Sequence, residues 1–513
     1  MMNVPPHQMP PPPEPQALRA ALRHFQDRLQ AQEAQFARLQ RQIRQQAAEL
    51  AECREALQRS AEGRARLSDT PALRHIARAL RGLLPRRWRA RLARLNFASG
   101  AEGAPDYRVR LRTLRASGQL ARTRSVALVA PESLRRAATA AAHLIEAMGL
   151  HVTVHTAMPT AFTDDLYLVL SPRAFAELPP PDRRILWLVE SGELAGEWSA
   201  AFHARLDGSL AVFEAVLPRI AELQAHGVVQ HQIFHVPLTP FTAPNPVRPD
   251  RSPLGLPHML ARALHGCGVV DDAIFEAATA ETRLDAPALV LCLPEAPERF
   301  ALARESQRHG ALLFPGLRHV EGWKGTALSY RYLARRALAA GRERLVIWED
   351  DARLPADFDT RLPALLARLE AQAGAWDVFS GLITDLSPHG EVRAVHADGA
   401  NLLVELDTVI GMVFGVYGAK ALNALAGYRV EGEDVMKDTI DRYLETLALR
   451  CWTVFPPLVG HADHVSSTLW DPTGGRFLSN EWLNPMIDGS QLRLLAKIAD
   501  RLEGTAPAPT DGH

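Results

Sequence analysis

Short, nearly uninterrupted apolar runs recur from Ser125 onward, separated by stretches with helical spacing, and this alternation constrains the fold more than any other feature. SVALVA is followed by a helical stretch over 132–149, then by HVTVH, DLYLVL, ILWLVE and LAVFEAV, a helical stretch over 217–226, and QIFHVPL. A strand that is apolar on both sides must be covered on both sides, as happens when a parallel sheet lies between layers of helices. The segment 120–245 is therefore expected to be an α/β unit. A second series starts at ALVLCLP, a strand over 288–293. It continues through a helix from near Thr326 to Gly341 and a strand over Leu345–Trp348. Between the two, 246–286 reads as a proline-rich linker with a short helical stretch over 257–283. A chain of 513 residues is long enough for more than one such unit.

The first unit has Rossmann-like texture but no glycine-rich phosphate loop, because VAPESLRR stands after its leading strand. A structural or acceptor-recognition role is the expectation for it.

Ahead of these units the chain has a different character. Residues 1–15 form a proline-rich tail. Leu22, Leu29, Phe36, Ile43, Leu50 and Leu57 then recur at heptad spacing, with Leu18, Phe25, Gln32, Leu39, Gln46 and Cys53 interleaved. This predicts a coiled coil over 16–62 that makes the protein a homo-oligomer. The segment 64–97 mixes arginine with Leu73, Ile76, Leu80, Leu83, Leu84, Trp88, Leu92 and Leu95, which suits peripheral contact with an anionic inner-membrane surface and equally an acidic protein face. No apolar run is long enough to span a bilayer and the start lacks a secretory pattern, so a cytoplasmic location is expected. The formal net charge is zero and no basic surface motif stands out in the rest of the chain, which argues against a nucleic-acid partner. The four cysteines are scattered, without the spacing of a zinc site.

The strongest chemical signal is the strand that ends directly in Glu349-Asp350-Asp351. Adjacent carboxylates repel one another and contribute nothing to a core, so they need a counter-charge. A divalent cation, Mn²⁺ or Mg²⁺, prefers oxygen ligands and keeps positions open for phosphate oxygens. Asp350 and Asp351 are the expected metal carboxylates. Arg299, at the carboxyl end of the preceding strand, stands where ligands gather in open α/β sheets.

From about residue 288 to 470 the chain resembles glycosyltransferase family 25, which includes bacterial lipooligosaccharide sugar transferases and collagen galactosyltransferase domains. The resemblance rests on six segments in order: the PEAPER loop with Arg299; Gly325-Thr326-Ala327-Leu328-Ser329; Glu349-Asp350-Asp351; WDVFSGL; VIGMVFGVYGAKALNAL with DTIDRYLE; and CWTVFPPLVGHADHVSST. Two positions depart from the family pattern: Cys292-Leu293-Pro294 replaces Asn-Leu-Asp, and Tyr330 replaces histidine after Leu328-Ser329. The resemblance implies a GT-A-like domain over 287–475, followed by a C-terminal helix and tail over 476–513. It also implies a nucleotide-sugar donor, inversion at the anomeric carbon, and a glycan or glycolipid acceptor such as a lipopolysaccharide. The preceding Rossmann-like unit resembles one lobe of a GT-B enzyme. Arg299, Gly325, Ser329 and Glu349 would then serve the donor, with Asp350, Asp351 and His464 on the metal. Asp441 is the first choice of general base, with Glu433 and Asp434 as competitors. The rival expectation is a catalytically silent scaffold built on the same fold.

Overall fold

The computed structural model describes residues 107–189, 198–238, 253–373, 376–387, 389–398, 401–408, 411–435, 437–462, 465 and 480–504. The proline-rich tail, the heptad segment and the basic segment 64–97 lie outside the described residues, as does His464. The described elements all belong to one compact unit, Pro105–His513, and form an α/β protein with two principal sheets.

Helix α1 (Tyr107–Ala116) leads into a six-stranded sheet made of β1 (Ser125–Val129), β2 (His151–His155), β3 (Leu166–Leu170), β4 (Arg184–Leu188), β5 (Ala211–Glu214) and β6 (Ile233–His235). Its order is β2-β1-β3-β4-β5-β6 and every pairing is parallel. The sequence pattern follows the position of each strand. Central β3 and β4 are buried at every residue, whereas edge strand β2, HVTVH, buries only Val152 fully. Helices α2 (Arg135–Ala147), α3 (Ala200–Asp207) and α4 (Leu217–Ala225) fall between successive strands.

The proline-rich stretch after this sheet carries α5 (Leu256–Cys267) and α6 (Asp272–Ala278). Every residue of α5 except Pro257 is buried, so this segment is part of the core. Within it, Arg262 is fully buried and donates through Nη1 and Nη2 to Glu295 at 2.7 and 2.9 Å. Glu295 also accepts the backbone N–H of His235 at 2.7 Å, and Arg318 lies 3.3 Å from it. A charge group closed in this way joins the end of β6 to the second sheet.

The second sheet contains β7 (Ala288–Cys292), β8 (Leu312–Pro315), β9 (Arg344–Glu349), β11 (Val378–Ser380), β12 (Val392–Asp398), β13 (Asn401–Leu406), β14 (Phe414–Gly418) and β15 (Cys451–Phe455). Its order is β12-β13-β15-β11-β14-β9-β7-β8. Strands β8, β7 and β9 run parallel, whereas β14 is antiparallel to β9. Helices α7 (Pro297–Glu305), α8 (Gly322–Ala339), α9 (Phe358–Ala373), α10 (Ala419–Gly427), α11 (Ile440–Glu445) and α12 (Asn480–Gly504) accompany it. A separate pair, β10 (Ala352–Arg353) with β16 (Gly460–His461), leaves the acidic motif directly. No described helix is long and apolar enough to cross a membrane.

Burial also sets the acid response of this fold. Burial lowers His235 to about 4 and His258 to about 3, and each has a ring Nε2 without a hydrogen-bond partner among the described residues. An unfolded histidine takes up its proton near pH 6.5, so the unfolded state binds more protons than the folded state between that pH and the lowered values. Stability is therefore full above pH 6.5 and is lost as pH falls. Urea unfolding at pH 5 should show a loss of about 2 kcal/mol for each histidine relative to pH 7. His258→Asn should remove its share of that difference; an unchanged pH difference would contradict the assignment.

Candidate functional site

The three parallel strands of the second sheet bring the chemistry to one edge. Leu291 of β7 is in register with Glu349 of β9, and Cys292 with Pro315 of β8. The segments that leave these strands, Leu293 to Arg299, Gly316 to His319 and Glu349 to Asp351, must therefore emerge side by side. From them Leu293, Arg299, the run Gly316 to His319, Glu349 and Asp350 wall a cleft open to solvent, which Gly322, Thr326 and Ser329 of α8 also line. The carboxyl edge of a parallel sheet is where open α/β proteins place their ligands.

At one end of the cleft the counter-charge is supplied from within the chain. Pro297 fixes the first turn of α7, and Arg299 on that turn reaches back to the acids. Its Nε donates to Asp350 Oδ1 at 2.8 Å, and its Nη2 lies 2.5 Å from Asp350 Oδ1 and 2.8 Å from Asp351 Oδ2. Both aspartates are 5% exposed and Arg299 is 7% exposed. Adjacent acids thus do not by themselves require a metal, because a guanidinium already balances part of their charge. Burial disfavours the charge on Arg299, but Asp350 and Asp351 outweigh it and hold the guanidinium firmly protonated.

The acids are not equivalent. Burial works against the charge of Asp351 too, but Arg299 and His461 hold it below the usual carboxylate range. Burial raises Asp350 despite Arg299, and burial together with the Asp351 charge pushes half-buried Glu349 up to about 8. Asp351 Oδ1 is buried and has no hydrogen-bond partner among the described residues. A buried carboxylate oxygen in that state has lost water and gained nothing, which is unusual in a finished core.

His461 arrives through the short β10–β16 pairing, in which Ala352 faces His461 and Ala462 donates its N–H to the Asp351 carbonyl at 2.8 Å. Its Nε2 lies 3.3 Å from Asp351 Oδ2, and its Nδ1 lies 3.0 Å from Asn484 Oδ1 at the start of α12. Burial works against the charge on His461, but the hydrogen bond to Asp351, the charge of Asp351 and the hydrogen bond to Asn484 together outweigh it and raise the pKa. Among the described residues no group of three or more histidine, cysteine, aspartate or glutamate side chains is arranged to hold a metal ion.

The remaining sequence candidates are distributed around this end. Gly325 has no room for a side chain: a Cβ would come within 2.6 Å of the Leu317 carbonyl oxygen. Ser329 is fully buried; its Oγ accepts the Leu317 N–H at 2.7 Å and donates to the Gly325 carbonyl at 2.7 Å. Gly325 and Ser329 therefore shape the cleft by clamping the loop after β8 onto α8. Tyr330 is buried and donates to the Met412 carbonyl at 3.0 Å. Asp441 lines a second, small cavity with Gly411, Met412 and Tyr417. Its charge raises the pKa of both Glu349 and Tyr417. The chain at Val413 runs directly beside the acids, since its carbonyl accepts the Glu349 N–H at 2.9 Å. Glu433 is largely exposed and accepts from Lys324 Nζ at 3.1 Å, while Asp434 lies 3.6 Å from Lys437.

Sequence reasoning did not single out Gln230, His231, Arg318 or His319, all of which line the cleft. The signal was the unread strand Leu312–Pro315: once it is placed beside β7, the segment Gly316 to His319 has to emerge next to Arg299. No family model matches this chain, and no curated protein matches it.

Proposed function

We propose that the chain is a divalent-metal-dependent, inverting glycosyltransferase of GT-A type, taking a sugar from a nucleotide-sugar donor to a glycan or glycolipid acceptor. The observation that carries this reading is a buried Asp350–Asp351 pair, Asp350 lining the cleft, with one oxygen of Asp351 left without a partner among the described residues. The oxygen donors suit Mg²⁺ or Mn²⁺, and Asp350 and Asp351 would hold the ion. When bound, such an ion would supply neutralisation of charge on the departing nucleoside diphosphate.

The chain's own groups account for the rest. Arg299 lines the cleft and carries a permanent positive charge, so it can share itself between the aspartates and a diphosphate oxygen. His461, tethered by Asn484, fixes the position of Asp351. Asp441 is the preferred general base, because it is the acid candidate close enough to influence Glu349. Exposed Glu433 and Asp434 serve surface ion pairs better.

One observation favours a second reading. Arg299 and protonated His461 together balance the two aspartates, so a metal-free binding module with a silent site is chemically self-consistent. Turnover separates the two. Hydrolysis or transfer from a panel of sugar nucleotides with Mn²⁺ should be measurable for the wild type and fall about 10²-fold or more in Asp441→Asn. Equal rates for the two proteins would remove Asp441 from the reaction.

A further inference from the structure

The cleft is not built by the mixed sheet alone. Gln230 and His231, from the turn just before β6 of the six-stranded sheet, form part of its wall. They are held there by Arg318 of the loop after β8, whose Nη2 donates to the Gln230 carbonyl and Nη1 to the Ile233 carbonyl, each at 3.1 Å. The Arg262–Glu295 pair fixes the same junction from below.

The two ends of the cleft differ in chemistry. Around Arg299 and Asp350 the lining is charged. Around Gln230 and His319 the one charged group, Arg318, is engaged by the Gln230 and Ile233 carbonyls and by Glu295, and the lining carries hydrogen-bonding groups that the fold does not use. His319 Nδ1 accepts the Glu321 N–H at 3.0 Å, so the neutral ring bears its proton on Nε2, and that N–H has no acceptor among the described residues. Burial keeps the ring neutral by lowering its pKa to about 3. The Gln230 side-chain amide and the Thr326 hydroxyl likewise make no hydrogen bond within the described residues. Strands β8 and β9 lie two strand spacings apart across β7, roughly 10 Å, and Gln230 lies beyond the β8 loop. An elongated ligand with a phosphate end and a flat, uncharged, hydrogen-bonding end matches this division.

We propose that the six-stranded sheet completes the donor site: Gln230 with His319 reads the nucleobase of a nucleoside diphosphate whose phosphates lie toward Thr326 and Arg299. This rests on the proposed function and gives the first sheet a role in donor selection. Gln230 offers both a donor and an acceptor, and His319 offers a donor, so the pair discriminates between bases by their edge pattern.

Calorimetric titration of the full chain with UDP, GDP and inorganic pyrophosphate, each with Mn²⁺, tests it. Gln230→Ala and His319→Asn, the latter retaining an acceptor for the Glu321 N–H, should each weaken the preferred nucleoside diphosphate about tenfold and leave pyrophosphate within about twofold. Melting temperatures of both variants serve as the control for folding. If nucleoside diphosphates bind the wild type and both variants alike, or if pyrophosphate weakens as much as the nucleotide, the inference is overturned while the sugar-nucleotide reading stands. A wild-type chain that binds no nucleoside diphosphate overturns the proposed function and this inference with it.

Discussion

Arg299→Ala is expected to destabilise the folded protein by about 3–5 kcal/mol, because it removes the guanidinium shared by two buried carboxylates. The loss would be read from urea unfolding midpoints without added metal. Isolated surface ion pairs are worth less than about 1 kcal/mol, so the size of the effect distinguishes a buried counter-ion from a decorative one. Adding Mn²⁺ should restore part of the lost stability in Arg299→Ala and change the wild type less, since a divalent ion can take over the neutralisation. An Arg299→Ala protein as stable as the wild type would contradict the ion-pair geometry at this site.

A loss of similar size, about 3–5 kcal/mol, is expected for Glu295→Ala. Arg262 and Glu295 are fully buried, and removing the carboxylate leaves Arg262 and Arg318 without their anion. The double variant Arg262→Met/Glu295→Leu should lose less than the sum of its single variants, because apolar side chains of similar volume carry no stranded charge. Strictly additive losses in unfolding experiments would mean that the two residues do not act as a pair.

The parts of the fold legible in the sequence were those whose residues had only one place to go. Strands such as DLYLVL and ILWLVE are apolar throughout because they lie at the centre of a parallel sheet, and ALVLCLP and LVIW announced the second sheet in the same way. The hairpin β12–β13 was not legible: it lies at the edge of the mixed sheet, where VRAVHAD and NLLVEL mix polar and apolar residues. Nor could α5 be read as a core helix, since the prolines around it suggested a connector, while its buried Arg262 and His258 are polar residues placed inside by partners from distant segments.

The site was legible in part for the same reason. Glu349-Asp350-Asp351 and Arg299 stand at strand ends, and strand ends can be located from the apolar runs that precede them. The pairing between Arg299 and the aspartates depends on the parallel register of β7 and β9, which no local pattern shows. Gln230 and His319 were beyond reach, because they meet only after two sheets far apart in the chain are docked. His461 stood in the right segment, but its contact with Asp351 required the β10–β16 pairing, and its companion Asn484 comes from a helix that shows nothing of its role in sequence.

The central claim is that Asp350 and Asp351 form a metal-assisted anchorage for a diphosphate. Calorimetric titration of sugar nucleotides into the protein with and without Mn²⁺ tests it most directly. Binding should require the metal in the wild type and disappear in Asp350→Ala and Asp351→Ala, each folded as judged by its melting curve. Binding that persists in both variants, or that is indifferent to Mn²⁺ in the wild type, would contradict the account.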